Sequence, residues 1–289
     1  MSFTTLINVD ELASQLHNPN WVVIDCRFSL ADTSQGENHF AVSRIPGAQY
    51  AHLDKHLSSA IISDNSSNNT GRHPLPDKAV LSEQFQQWGI NSESQIVAYD
   101  DKPGAIASRL WWLSRWLGHE KIAVLNGGWA AWNANQQEIE SGATSNARAP
   151  GNFQEKPSLT QLVLKSEVLS PSLCLLDARE AERYNGEREP IDPVAGHIPG
   201  ALNAPFLQNI TRDGLFKSKD ALRERFAPAI AAAGSKQLVH YCGSGVTAAH
   251  NMLAMAYAGL EPGAMYAGSF SEWVSQPDAD QYPVVRREC

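Results

Sequence analysis

Val22-Val23-Ile24-Asp25-Cys26-Arg27 recurs in the second half of the chain as Leu175-Leu176-Asp177-Ala178-Arg179, each an apolar run closed by Asp-x-Arg. Working outward from this pair, the match continues. Seventeen residues after Arg27 the chain reads Arg44-Ile45-Pro46-Gly47-Ala48, and eighteen after Arg179 it reads His197-Ile198-Pro199-Gly200-Ala201. Further on, Ile96-Val97-Ala98-Tyr99 is matched by Leu238-Val239-His240-Tyr241. Each of these runs leads into a glycine-containing loop and then a helical stretch, Ala105 to Leu117 and Val246 to Ala258. Both stretches stop at a glycine, Gly118 and Gly259, the residue suited to a left-handed helix cap. The chain therefore contains one unit twice.

Within each copy short apolar strands alternate with helices, the order that yields a mainly parallel sheet flanked by helices. The expected fold class is α/β, with two tandem domains. A length of 289 residues, 43% of them hydrophobic, is enough for two cores. We expect an N-terminal domain over 1–140, a linker over 141–158 and a C-terminal domain over 159–289. Ser141 to Ser158 is rich in Gly, Pro, Ser and Asn and has no periodicity. The first copy also carries a polar insertion, Ser58 to Pro76, of the kind that is mobile or functional.

Bulk properties exclude several roles. The net charge is -8 and the 23 Lys and Arg residues are dispersed, which argues against nucleic-acid binding. No run of about 18 apolar residues exists and Met1 to Asp10 lacks secretory character, so a cytoplasmic protein that engages no membrane is expected. The cysteines at 26, 174, 242 and 289 have neither metal-ligand spacing nor a disulfide framework; free thiols and no metal follow.

Chemistry concentrates in Tyr241-Cys242-Gly243-Ser244-Gly245-Val246-Thr247-Ala248. Cys242 follows a strand and precedes a helix, at the carboxyl end where open α/β sheets bind ligands. Two glycines allow the backbone N–H groups to form a cup, and the helix adds its positive end. Both favour a thiolate, lowering the thiol pKa from its reference of about 8.5. Cys26 and Cys174 sit in or beside apolar strands and read as structural. Cys289 is terminal. In the first copy, Tyr99-Asp100-Asp101-Lys102-Pro103-Gly104 puts an acid where the cysteine stands in the second.

These residues resemble the rhodanese superfamily. Cys-Gly-Ser-Gly-Val-Thr-Ala is similar to the active-site loop of 3-mercaptopyruvate sulfurtransferases. The likeness extends through both Asp-x-Arg strands, both Ile-Pro-Gly-Ala turns, Trp111-Trp112 and Gly268-Ser269-Phe270-x-Glu272-Trp273. It implies two tandem rhodanese-like domains, the N-terminal one catalytically silent. It also implies that sulfur is carried as a persulfide on Cys242 within a loop whose Gly243, Gly245, Val246 and Thr247 line the substrate. Arg183 and Arg109 fall on positions where the family binds the substrate carboxylate. A second arginine of the C-terminal domain would be expected at Ile191, and Arg188, three residues earlier, is the candidate replacement. A Ser, His and Asp proposed to act together map onto Ser244, His73 and Asp54, where a relay can protonate the departing enolate.

The resemblance thus implies transfer of sulfur from 3-mercaptopyruvate to a thiol such as thioredoxin or glutathione, or to cyanide, releasing pyruvate without a cofactor. Thiosulfate:cyanide sulfurtransferase is the alternative, weakened because Gly243 and Ser244 are neutral where thiosulfate-selective loops carry cations. A cysteine phosphatase would need an arginine closing a Cys-(x)5-Arg loop, and this chain has Ala248 there. A non-enzymatic binding module would usually lack the nucleophile. Trp111, Trp112, Trp129, Trp132 and Trp273 are expected in the core.

Overall fold

The computed structural model describes residues 2–61, 70–142, 148–275 and 281–286. Cys289, residues 62–69 of the insertion and residues 143–147 of the Gly/Pro/Ser/Asn segment lie outside the described residues. The chain forms two compact units. The first comprises Met1–Ser59, Pro76–Leu159 and Arg212–Phe216; the second comprises Ala60–Leu75, Thr160–Thr211 and Lys217–Cys289. Each unit therefore includes a short segment drawn from the other half of the sequence. No helix among the described residues is long and apolar enough to cross a membrane.

The first unit holds a five-stranded sheet of β1 (Leu6–Ile7), β2 (Trp21–Asp25), β3 (Gln49–Tyr50), β4 (Gln95–Tyr99) and β5 (Ile122–Leu125), ordered β1-β5-β4-β2-β3. The second holds β6 (Gln161–Leu162), β7 (Leu173–Asp177), β8 (Leu202–Asn203), β9 (Gln237–Tyr241) and β10 (Ala264–Met265), ordered β6-β10-β9-β7-β8. All pairings within both sheets are parallel. The repeat extends to register: Asp25 pairs with Tyr99 and Asp177 with Tyr241. Strands buried on both faces need continuous apolar runs, which Ile96-Val97-Ala98 and Val22-Val23-Ile24 supply.

In each sheet the chain leaves β2 or β7 toward one edge and β4 or β9 toward the other, so the order reverses between those central strands. Open α/β sheets bind ligands in the crevice beyond such a reversal. The Asp-x-Arg repeats close it from behind. Arg27 donates to Asp25 and to the Ser43 carbonyl; Arg179 donates to Asp177 and to the Gly196 carbonyl. The Tyr99 hydroxyl donates to Asp25 and accepts the Ile45 N–H, and Tyr241 bonds Asp177 and accepts the Ile198 N–H. Both motifs thus fasten a strand end to its Ile-Pro-Gly-Ala turn.

The helices Ala107–Trp116 and Ala248–Tyr257 follow β4 and β9, and both end at positive-φ glycines, Gly118 and Gly259, as expected. Trp111, Trp112, Trp132 and Trp273 are buried. Trp129 departs from expectation: it is half-buried beside the core, with the Arg27 guanidinium 4.7 Å from the centre of its ring. Residues 148–159 run along the first unit, where N–H groups of Gly151, Phe153, Lys156 and Leu159 donate to the carbonyls of Gln86, Ile90, Leu117 and Arg115.

Candidate active site

Cys242 follows β9 directly and is 2% exposed. Its loop is pinned from behind by the segment that enters the helix Ser269–Trp273. The Cys242 N–H donates to Ser269 Oγ at 3.1 Å, while the Phe270 and Ser271 N–H groups donate to the carbonyls of Cys242 and Gly243. Gly245 has φ +74, and a Cβ there would stand 2.2 Å from the Ala267 carbonyl oxygen, so only glycine fits. Val246 is buried and Thr247 caps the helix Ala248–Tyr257.

The matching turn of the first unit displays what this backbone does to an anion. Asp100 follows β4, and Gly104 has φ +85 as Gly245 has +74. The Asp100 carboxylate accepts four backbone N–H groups, from Lys102, Gly104, Ile106 and Ala107, at 2.7 to 2.9 Å. Burial pushes the Asp100 pKa up, and those donors oppose it. One copy of the turn is already an occupied anion cup.

His73 and Ser244 are brought together: His73 Nδ1 and Ser244 Oγ share a hydrogen bond at 2.7 Å, and both residues are buried. Although His73 comes from the first half of the sequence, its segment, Ala60–Leu75, belongs to the second unit. Asp54 lies in the first unit, exposed in the short helix Leu53–His56, where its N–H donates to His52 Nδ1. Arg109 is buried in the first unit and donates to the Leu57 carbonyl at 2.9 Å and to Ser58 Oγ at 3.4 Å.

Arg183 faces the loop, with both terminal nitrogens 3.5 Å from where a Gly243 Cβ would stand. It also donates to Glu189 and to Asp192, the latter at 2.8 Å. Against burial, which raises it, hydrogen bonds from Arg183 and from the Asp192 and Ile191 N–H groups hold the Glu189 carboxyl below the usual range. Arg188 is exposed, and its guanidinium makes no hydrogen bond or ion pair among the described residues. Ile191 is exposed as well.

Sequence reading did not single out Arg72. Its Nη2 stands 3.0 Å from a Gly243 Cβ position, its Nη1 donates to Asp192 Oδ1 at 2.7 Å, and its backbone N–H donates to Ser271 Oγ. Its one local signal was adjacency to His73. The neutral loop sequence therefore does not mean neutral surroundings, since two guanidiniums border Gly243. Cys26 and Cys174 behave as structural thiols: both are buried and free. Burial, with the Asp100 and Asp25 carboxylates, pushes the Cys26 thiol up, and burial raises Cys174.

The model of the rhodanese-like domain matches residues 8–135 and again 159–276. A probable 3-mercaptopyruvate sulfurtransferase of Pseudomonas aeruginosa is 44% identical, over 96% of this chain and 97% of its own. A putative thiosulfate sulfurtransferase of Mycobacterium tuberculosis is 34% identical, over 94% of each chain. Among solved structures, the 3-mercaptopyruvate sulfurtransferase of Leishmania major superposes with a TM-score of 0.82 at 32% identity, over 93% of this chain and 74% of that one.

Proposed function

Since this chain belongs to the rhodanese-like family, we propose that it is the sulfurtransferase that takes sulfur from 3-mercaptopyruvate, carries it on Cys242 and releases pyruvate. The observation that carries this reading is the placement of Cys242 directly after β9, in a loop where Ser244 shares a 2.7 Å hydrogen bond with His73 and Arg183 borders Gly243.

The Cys242 thiolate attacks the donor sulfur. The carbon–sulfur bond breaks, its electron pair stays on carbon as the enolate of pyruvate, and a proton completes the product. His73 and Ser244, 2.7 Å apart, supply that proton. Arg183 holds the carboxylate, with Gly243, Gly245, Val246 and Thr247 lining the loop. An acceptor thiolate such as thioredoxin or glutathione, or cyanide, attacks the outer sulfur and regenerates Cys242. The first unit is catalytically silent because Asp100 has no sulfur to offer. Free thiols at Cys26, Cys174 and Cys242 suit the reducing cytoplasm.

Thiosulfate remains the second donor reading, favoured by the likeness to the putative thiosulfate sulfurtransferase of Mycobacterium tuberculosis. Steady-state rates with both donors decide between them, together with the protein's mass after donor treatment. A higher kcat/KM for 3-mercaptopyruvate and a gain of one sulfur atom on Cys242, removed by cyanide, are expected. A higher kcat/KM for thiosulfate would install the second reading.

A further inference from the structure

We infer that Asn209 and His250 are positioning residues for Cys242, and that the hydrogen bond between them fixes how the helix Ala248–Tyr257 leaves the cysteine loop. This rests on the proposed sulfur transfer and deepens it. Every residue from Ala248 to Met255 is buried, and the run is apolar except for His250 and Asn251 in its first turn. Two adjacent polar side chains inside such a helix are costly unless each finds a partner. Asn209, the last residue of the short helix Phe206–Asn209, serves both. Its Nδ2 donates to His250 Nδ1 at 2.9 Å and to Asn251 Oδ1 at 2.8 Å, and Asn251 Nδ2 donates onward to the Ala204 carbonyl at 2.8 Å. Asn209, His250 and Asn251 are all fully buried. Because an amide nitrogen can only donate, His250 Nδ1 accepts, which puts the proton of the neutral imidazole on Nε2.

An apolar version of this network could hold the helix as firmly, but it would not fix its rotation, because hydrogen bonds have direction and apolar contact does not. The network meets the helix in the turn that adjoins the nucleophile. There the His250 N–H donates to the carbonyl of Thr247, the last residue of the loop that begins at Cys242. Asn209 is itself held, its carbonyl accepting the Lys217 N–H at 2.9 Å. The first unit follows the same plan. Arg109 is the third residue of its helix, as His250 is of the second, and it donates to the Leu57 carbonyl and Ser58 Oγ just beyond the short helix Leu53–His56. In that unit the helix donates; in the second unit the helix accepts, and Asn209 supplies the N–H. The tie is present in both copies although its chemistry is exchanged, so what the two share is the placement of the helix against the loop before it.

Asn209→Leu, similar in volume but without the N–H groups, should lower kcat about tenfold or more while KM for 3-mercaptopyruvate changes little. Cys242 is 2% exposed, so a loop no longer held should let iodoacetamide alkylate it faster, by about threefold or more, even as turnover falls. His250→Asn keeps an acceptor where Nδ1 stands and should recover most of the kcat that His250→Leu loses. Thermal melts establish which variants are folded at the assay temperature. Where Asn209→Leu is not, Asn209→Ser, which keeps one donor, should show a smaller fall in kcat, about threefold, with the same opposite movement of alkylation. Unchanged kcat or unchanged alkylation in a folded Asn209 variant, or His250→Asn no better than His250→Leu, would overturn the inference. If the unmodified protein transfers sulfur from neither donor, the functional reading fails instead, and the alkylation rates alone decide whether Asn209 holds the loop.

Discussion

The turn at Asp100 and the turn at Cys242 share a strand, a left-handed glycine and a following helix, and they differ in what occupies the cup. In the first, a carboxylate supplied by the chain satisfies four N–H donors permanently. In the second, the residue that follows the strand is Cys242, a thiol whose own N–H donates to Ser269 Oγ and whose carbonyl accepts the Phe270 N–H. The contrast teaches that one strand–turn–helix frame can close on a carboxylate of its own or present a thiol, the two turns differing by one residue in length. It also separates the surroundings: two arginines border Gly243, whereas Asp100 closes on its own loop.

The largest effect is expected from making the second turn resemble the first. Cys242→Asp should fold normally and lose sulfur transfer by at least about 10⁴-fold, as should Cys242→Ser, because no nucleophile remains. Mass spectrometry after donor treatment should find no added sulfur. Sulfur retained on Cys26 or Cys174 in folded Cys242→Ser protein would overturn the assignment.

The duplication, the four central strands and the loop cysteine were legible because each is local: an apolar run, an Asp-x-Arg end, a glycine-containing turn before a helix. Helix ends at Gly118 and Gly259 were legible for the same reason. What escaped was pairing over distance. Arg72 meets Gly243 only through the fold, and Asp192 and Glu189 read as ordinary loop acids until their arginines are seen. Composition also says little about backbone: the Gly/Pro/Ser/Asn stretch reads as a linker, yet its residues 148–158 share backbone hydrogen bonds with the first unit, and Phe153 packs on Phe85 at 5.0 Å. Trp129 shows the limit for aromatics, since an indole serves as well under a guanidinium as in a core.

His73→Ala tests whether the second turn needs its relay. Turnover with saturating 3-mercaptopyruvate should fall by about 10²–10⁴-fold. An unchanged kcat would make His73 a structural partner of Ser244 and remove the relay.

Emptying the first cup should cost stability and leave the chemistry intact. Asp100→Ala strands four N–H groups, three of them buried, and a loss of roughly 3 kcal/mol or more is expected, read as a lower urea midpoint. Asp100→Asn, which keeps one acceptor oxygen, should lose less. Equal midpoints for Asp100→Ala and the unmodified protein would show that the cup does not need filling.

The smallest effect separates the strands that lead into the two turns. β4 has Ala98 where β9 has His240, which is fully buried, and burial pushes its pKa down to about 4. Above the unfolded value of 6.5 this histidine is neutral whether folded or not and has no effect on stability. As pH falls from there toward 4, the unfolded chain takes a proton that the folded chain refuses, and stability drops by up to on the order of 3 kcal/mol. His56, pushed down to about 4 by burial and then by His52 and Lys55, titrates in the same window. His240→Gln should therefore flatten part of the fall in Tm between pH 6.5 and 4; an unaltered slope would break this distinction between the strands.

The hydrogen bond from the Arg72 N–H to Ser271 Oγ joins residues 199 positions apart. Contacts of that span cannot form until both partners have left the ribosome, and they close late and slowly because the intervening chain must be ordered first. A nascent chain therefore exposes Cys242 on an incomplete cup for as long as the last stretch, with Ser269 and Ser271, is still being made. A fragment beginning at residue 160 would retain the nucleophile yet lack Arg72 and His73. The duplication in this chain is visible as two copies, but the second unit takes Ala60–Leu75, with Arg72 and His73, from the first half of the sequence.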